Sequence, residues 1–303
     1  MEIRALRYFL ETAREENMSQ AAKRLYVSQS ALSRQIKSLE EELGQKLFIR
    51  HSFHIELTEA GILLRKRAED ILKMVDKTCE EFQSLDDTIS GEIQIGCSES
   101  QATHLVARVL VRLHQLYPGI RYHLKSGNTE DITGDLDKGL LDFAIIAQPV
   151  NLTKYQFLAL PSHDTWGVIL PKTHPLAQKE TLNVNDIQEI PLIVSRQGLT
   201  QDYPKLFGQA QDALNIVATF NLPYNGSLLV KEGLGFMLCF DGLIDTSEQS
   251  ELCFRPLSFK LESEGNLIWK KYQAFSPASQ ALLDLLRTTY GTQPEKTDTH
   301  IHD

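Results

Sequence analysis

Gln29, Ser30, Ser33, Arg34 and Lys37 fall at helical spacing within residues 28–43, on the side opposite Ala31, Leu32, Ile36, Leu39 and Leu43. A glutamine can form two hydrogen bonds with an adenine edge, and arginine or lysine suits guanine or phosphate. This face therefore carries the side chains that read a DNA groove. Ser28 can cap the start of the helix, where its hydroxyl and the free amides of the first turn also suit a phosphate oxygen. Arg50 and His54 border the polar stretch between Lys46–Arg50 and Ile55–Leu57, which reads as a two-stranded wing lying near the DNA backbone or minor groove. The acidic run Glu40-Glu41-Glu42 ends the same helix and is expected to point away from the duplex.

A second set of polar residues lies far along the chain. Ser98, Ser100, Thr129, Gln148, Arg196 and Thr200 each follow a short apolar run, where hydroxyls, amides and helix N-termini can hold a small polar molecule. Capping and turn formation is the commoner work of Ser and Thr at such places. Glu99 would repel a carboxylate unless turned outward, so the charge of any ligand is open at this point.

The elements that must position the first set are short helices. Leu6, Phe9, Leu10 and Ala13 recur at helical spacing between Arg4 and Glu16, and this helix is expected to stop near Asn17. Ser19 is read as the cap of a second helix, Gln20 to Leu25, whose small Ala21 and Ala22 allow another helix to cross closely. Tyr26-Val27 forms the turn into the third helix, and Gly44 sits where a left-handed residue ends it. Three helices and a wing make a winged helix-turn-helix.

Thr58 can then cap a long helix. Leu64, Ala68, Ile71, Val75, Thr78, Phe82 and Leu85 step alternately four and three residues along it, a heptad seam with charges at most other positions. The alternative is a single amphipathic helix packed on its own domain. A lone helix-turn-helix touches little DNA, and pairing it across a twofold axis supplies two half-sites, so the seam is read as the dimer contact.

From Glu92 the pattern becomes α/β. Strands at 93–95, 120–124 and 143–146 alternate with helices at about 101–116 and 129–139. A second series has strands at 166–170, 191–194, 216–219 and 235–239. A strand at 267–270 returns the chain, and Ser276 caps a last helix to about Tyr290. The sheets are expected to be largely parallel, with ligands held past the carboxyl ends of the strands.

Residues 1–66 resemble the DNA-binding region of LysR-type transcriptional regulators. The resemblance rests on Leu6-x-x-Phe9, Ala21-Ala22-x-x-Leu25, Val27-Ser28-Gln29-Ser30-Ala31-Leu32-Ser33-x-x-Ile36-x-x-Leu39-Glu40-x-x-Leu43-Gly44, Leu47-Phe48-x-Arg50 and Leu57-Thr58-x-x-Gly61. Ser30 stands where the family usually has proline, and Asn17 where many members have serine. Weaker matches run on through Gly91-x-Ile93-x-Ile95-Gly96, Tyr117-Pro118, Gly139-x-Leu141-Asp142-Phe143-Ala144-Ile145, His174-Pro175-Leu176-Ala177 and Gly233-Leu234-Gly235-Phe236. They are similar to the family's effector-binding domain, a two-lobed α/β unit resembling the periplasmic binding-protein fold.

The resemblance implies a winged helix-turn-helix at 1–58, a linker and dimerisation helix at 59–90, a two-lobed effector domain at 91–290 and a disordered tail at 291–303. It makes Gln29, Ser33 and Arg34 the foremost DNA contacts, with Arg50 on the wing. The implied partners are double-stranded DNA, a small-molecule effector, the chain itself as dimer or tetramer, and RNA polymerase, with no cofactor and no membrane.

Composition agrees with that division. The 303 residues carry a formal net charge of -9, yet residues 1–58 hold nine Lys/Arg and eight Asp/Glu, leaving -10 for the rest. An acidic body is repelled by a polyanion, whereas a near-neutral head can bind one if its cations share a face. The hydrophobic fraction of 42% excludes general disorder, and four unpaired-looking cysteines make neither a disulfide framework nor a zinc cluster. No uncharged apolar run is long enough for a membrane helix, and charge at Glu2 and Arg4 is unlike a signal peptide, so an intracellular, cytoplasmic chain is expected.

Three rival functions fare worse. For an enzyme, Gly233-x-Gly235 lacks the third glycine of a dinucleotide loop, and P-loop, nucleophile-elbow and zinc-helix spacings are absent. His300 and His302 read as solvated polarity. A solute-binding protein of the same two-lobed fold should carry an export signal and no helix-turn-helix. A redox-sensing relative should have a cysteine pair in the second lobe's loop, and Arg196 to Gly208 contains none.

Overall fold

A computed structural model describes residues 1–51, 54–83, 89–147, 153–259 and 263–291, with the side chains of 80–83 and 209 left aside. The chain divides into two compact units, Met1–Gln83 and Ser84–Asp303.

In the first unit, α1 (Ile3–Glu15) buries Ala5, Leu6, Phe9 and Thr12 and ends at Glu16 in the left-handed region. Helix α2 (Met18–Arg24) starts earlier than expected. Asn17 caps it, accepting from the amides of Ser19 and Gln20, because Met18 is already helical and buried; the assignment of the cap to Ser19 is corrected. Helix α3 (Gln29–Leu43) is capped by Ser28 and closed by Gly44 at φ 66°. Leu32, Ile36 and Leu39 point inward as expected, but Leu43 is 40% exposed and Glu40 takes the inward position at that end.

Strands β1 (Phe48–Arg50) and β2 (Ile55–Leu57) pair antiparallel as a short wing, with the His51 amide donating to the His54 carbonyl. Thr58 then ties the wing to α4 (Glu59–Gln83). Its hydroxyl donates to the Lys46 carbonyl and accepts from the Gly61 amide. Gly61 is required by close approach, since a Cβ there would lie 2.2 Å from the Leu47 carbonyl oxygen.

Helix α4 divides the residues of the proposed seam between two environments. Leu64 and Ala68 are buried in the head's own core, together with Leu72, which the heptad reading passed over. Ile71 is exposed and Val75 half-buried. The side chain of Phe82, and all of Leu85, lie outside the described residues. The single-helix alternative therefore accounts for Leu64 and Ala68, whose apolar surface is spent within one chain.

The second unit has two lobes, each built on a five-stranded sheet. The first orders β3 (Gly91–Cys97), β4 (Ile120–Ser126), β5 (Phe143–Ile146), β6 (Tyr155–Asp164) and β12 (Ser263–Lys270) as β4-β3-β5-β12-β6. The second orders β7 (Trp166–Pro171), β8 (Leu192–Ser195), β9 (Ile216–Phe220), β10 (Phe236–Phe240) and β11 (Leu252–Pro256) as β11-β7-β10-β8-β9. The chain crosses between lobes at Thr165 and returns between β11 and β12.

The sheets are mixed rather than largely parallel. β3 pairs parallel with β4 and β5, and β8 with β9 and β10, but β12 and β7 run antiparallel to their neighbours because each follows a crossing. Edge strands β6 and β11 have no counterpart in the sequence reading. Pro161 interrupts the apolar pattern of β6, which an edge strand tolerates.

Helices α5 (Ala102–Leu116) and α11 (Pro277–Tyr290) cover the first sheet around Ile93, Ile95, Val109, Leu113, Phe143 and Leu282. Helix α6 (Thr129–Asp137) seats on its other face, close enough that a Cβ on Gly96 would meet Ile132 at 2.5 Å. In the second lobe the short helices α7 (Val184–Gln188), α8 (Arg196–Gln201) and α9 (Tyr203–Phe207) border a core that includes Val168, Leu192, Val194, Tyr203 and Leu238. Val230 of α10 (Pro223–Lys231) joins Ile169, Ile193 and Met237 on the opposite face. Among the described residues, no helix is long and apolar enough to cross a membrane.

Candidate nucleic-acid interface and ligand cleft

The N-terminal half of α3 presents its polar side chains to solvent. Gln29, Ser30, Arg34 and Lys37 are exposed and Ser33 is half-buried. Among the described residues, Gln29 and Arg34 have no hydrogen-bond or ion-pair partner, so both are free for an incoming surface. Ser28 Oγ accepts the Ala31 amide at 3.2 Å and lies 3.2 Å from Ser30 Oγ, which leaves one of the two hydroxyl hydrogens at the positive end of the helix. Arg50 reaches across from the wing to Ser33 Oγ at 3.4 Å, placing its guanidinium beside the recognition face.

Two basic side chains are partly spent. Lys37 pairs with Glu41 at 3.5 Å, and His54 Nε2 lies 2.8 Å from Glu56 Oε1. His51 stacks on His54 and faces the same carboxylate at 3.6 Å, and the His54 hydrogen bond holds the Glu56 carboxyl below its ordinary range. His51, His54 and Glu56 are all exposed, with their ligating atoms within 4.8 Å of one another.

The acidic triplet does not act as one group. Glu41 and Glu42 are exposed, but Glu40 is only 4% exposed, turned under the wing. It accepts from Lys46 Nζ at 2.9 Å and from the amides of Leu47 and Phe48 at 2.9 and 3.4 Å. Burial pushes this carboxyl up, but the Lys46 and backbone hydrogen bonds outweigh it and the net shift is downward. The run expected to point away from the duplex thus divides: Glu41 and Glu42 stay at the surface, whereas Glu40 turns inward and positions β1 and hence Arg50.

In the second unit a cavity of about 370 Å3 opens at the carboxyl ends of β3, β4, β8, β9 and β10. Ser98, Glu99, Asn128 and Asp131 line it from the first lobe. Trp166, Arg196, Gln197, Phe220, Leu238 and Phe240 line it from the second.

The residues expected here separate into three groups. Ser98 and Arg196 line the cavity. The Ser98 hydroxyl donates to the Ile145 carbonyl at 3.0 Å and accepts the Ala147 amide at 3.2 Å, so it also stitches the end of β3 to that of β5.

Thr129 is buried behind the wall, where Gln197 grips it across the two lobes. The Thr129 amide donates to Gln197 Oε1 at 2.7 Å, and Gln197 Nε2 donates to Thr129 Oγ1 at 3.0 Å. Ser100 and Thr200 do not line the cavity. Ser100 turns back to accept the Ala102 amide at the start of α5, and the exposed Thr200 donates to the Gln197 carbonyl. Gln148 lies outside the described residues.

Sequence reasoning missed Trp166, took in Gln197 only as part of the stretch from Arg196 to Thr200, and raised Glu99 only as an objection. An isolated Trp at the start of an apolar strand signals core, and Trp166 is indeed 4% exposed. Its Nε1–H, however, is buried and has no acceptor among the described residues. Glu99 is half-buried and, among the described residues, has no hydrogen-bond or ion-pair partner; burial pushes its carboxyl up.

The four cysteines are free. Cys97, Cys239 and Cys253 are buried and unpaired, and Cys79 is exposed and unpaired. Burial pushes the Cys97 thiol up to about 11 and raises that of Cys239, which keeps both as unreactive thiols.

A winged helix-turn-helix with a free polar recognition face, joined to a two-lobed α/β unit with a ligand cleft, defines a DNA-binding regulator class. The lysR-family model of bacterial regulatory helix-turn-helix proteins matches residues 3–62, and the LysR substrate binding domain model matches residues 86–291. The chain belongs to the LysR family of transcriptional regulators.

A "Probable RuBisCO transcriptional regulator" of Emiliania huxleyi is 34% identical over 182 residues, a match spanning 59% of this chain and 58% of that protein. One of the same description from Synechocystis is 29% identical over 302 residues, 97% of this chain and 88% of the relative. Full-length CbnR, crystallised with its target DNA, has the same fold. Its TM-score is 0.74 at 20% identity, over 95% of this chain and all of that one.

Proposed function

We propose that the protein is a one-component transcriptional regulator that binds a specific duplex as a dimer or tetramer and is controlled by a small molecule held in the cleft. The observation that carries the reading is the unpartnered pair Gln29 and Arg34 on the exposed start of α3. Such a pair can serve base edges and phosphates at once. Arg50, brought to the same face by Glu40 and Ser33, is the wing contact, while His54 contributes less because Glu56 holds it. Exposed Ile71 and half-buried Val75, rather than Leu64 and Ala68, are the residues of the seam left to meet a second α4. The effector acts through unequal affinity for two arrangements of the oligomer, which in turn differ in how they engage DNA and RNA polymerase.

Selection of random duplexes by the full chain, followed by footprinting, tests this reading. A recovered motif with two related half-sites is expected. No enrichment over the starting pool at physiological salt would overturn it.

A further inference from the structure

The cleft is lined by two charged groups that the protein leaves unpaired. On the first lobe the half-buried Glu99 carboxylate has no partner among the described residues. On the second, the exposed Arg196 guanidinium is likewise unpartnered. Asp131 adds a second carboxylate to the first-lobe wall.

Leaving a half-buried carboxylate unpaired costs free energy that packing could have avoided. In a site used for binding, that cost is recovered when a ligand supplies the missing partners. The remaining walls, Phe220, Leu238 and Phe240, are apolar and suit the body of a small molecule.

From this polarity, negative on one lobe and donating on the other, we infer that the effector is a small zwitterion of amino-acid type. Its ammonium pairs with Glu99, its carboxylate with Arg196, and its side chain rests on Phe240. Such a ligand joins the lobes by opposite charges, so each end reports on a different lobe. The same burial that raises the Glu99 carboxyl is relieved by an ammonium and aggravated by an anion. The inference rests on the cleft being the effector site.

The test uses the full chain and calorimetry. The probes are the twenty common L-amino acids, with 2-phenylethylamine and 3-phenylpropanoate as the single-charge counterparts of phenylalanine, alongside a panel of anionic and neutral metabolites. At least one amino acid should bind, and its counterparts lacking either charge should bind at least tenfold more weakly. Glu99→Gln and Arg196→Gln should each weaken binding at least tenfold. Apo Glu99→Gln should melt no lower than the parent, because it removes a desolvated charge; a purely structural glutamate would give a lower Tm.

Binding of 3-phenylpropanoate or another anion with equal or greater affinity, strengthened by Glu99→Gln, overturns the zwitterion and leaves the cleft as effector site. No binding by any amino acid also overturns it. Ligand binding unaffected by both Glu99→Gln and Arg196→Gln would remove the cleft itself, whereas duplex selection tests the regulator reading separately.

Discussion

Glu40 shows how one side chain can connect a core to a functional surface. With its carboxylate it satisfies two buried amides of the wing and one lysine, so Glu40→Ala strands those amides at roughly 1–3 kcal/mol each when water cannot replace it. Because the folded carboxyl lies below its unfolded value, its stabilisation is fully present above about pH 4.5 and is lost as pH falls through the lower folded value. Protection of the Leu47 and Phe48 amides, relative to their intrinsic exchange rates, should fall in Glu40→Ala at pH 7, and in the parent only under acid conditions. Equal protection in parent and variant at pH 7 would show that Glu40 does not hold the wing.

Residue-scale roles also explain what the sequence could not reveal. Glu40 precedes two exposed acids at the end of its helix, and nothing local says that its partners are six to eight residues further on. Asn17 and Ser19 are both good caps, and only the burial of Met18 decides between them. By contrast Ser28 and Gly44 act through neighbours within about four residues, as Thr58 does in capping α4, and these roles could be read directly from type and spacing; the Thr58 bond to the Lys46 carbonyl could not.

At the scale of elements, α4 offers a sharp contrast between adjacent positions. Leu72 is 8% exposed and belongs to the head's core, whereas Ile71 is 36% exposed on the neighbouring face. Leu72→Asp buries a charge and should unfold the head. Ile71→Asp should leave the head folded and lower the oligomeric mass in sedimentation. If both variants keep the parent mass, the exposed face of α4 is not the contact. The heptad pattern identified a helix with two apolar faces but could not assign them, because the intramolecular partner, α1, is some sixty residues away.

The cleft presents the same difficulty across lobes. Gln197 and Thr129 are 68 positions apart, and their paired hydrogen bonds arise only when the lobes face each other. Gln197→Ala leaves the first amide of α6 without its acceptor, so exchange at Thr129 should rise and stability should fall by about 1–2 kcal/mol. Unchanged exchange there would mean that water takes over the role. The α/β alternation and the strand ends that form the cavity were legible from short apolar runs; edge strands β6 and β11 were not, since Pro161 and solvent-facing residues interrupt β6 and Arg255-Pro256 cut the apolar run of β11 short.

For the whole molecule, charge and DNA reading can be separated. An acidic body on a near-neutral head means that attraction to DNA depends on a few exposed cations, chiefly Arg34 and Arg50, rather than on net charge. Arg34→Ala should weaken binding to every duplex and lower the slope of log affinity against log salt by about one for each phosphate that the guanidinium of a subunit no longer neutralises. Gln29→Ala should behave otherwise. It should lose about 1–3 kcal/mol at one base pair per half-site and relax the preference there, with the salt slope unchanged, because a base edge carries no counterion. Titrations of parent and variants against the selected duplex and a scrambled one, at three salt concentrations, distinguish the two effects. A Gln29→Ala variant that keeps full discrimination, or an Arg34→Ala variant that keeps the parental slope, would mean that α3 docks through some other part of its surface.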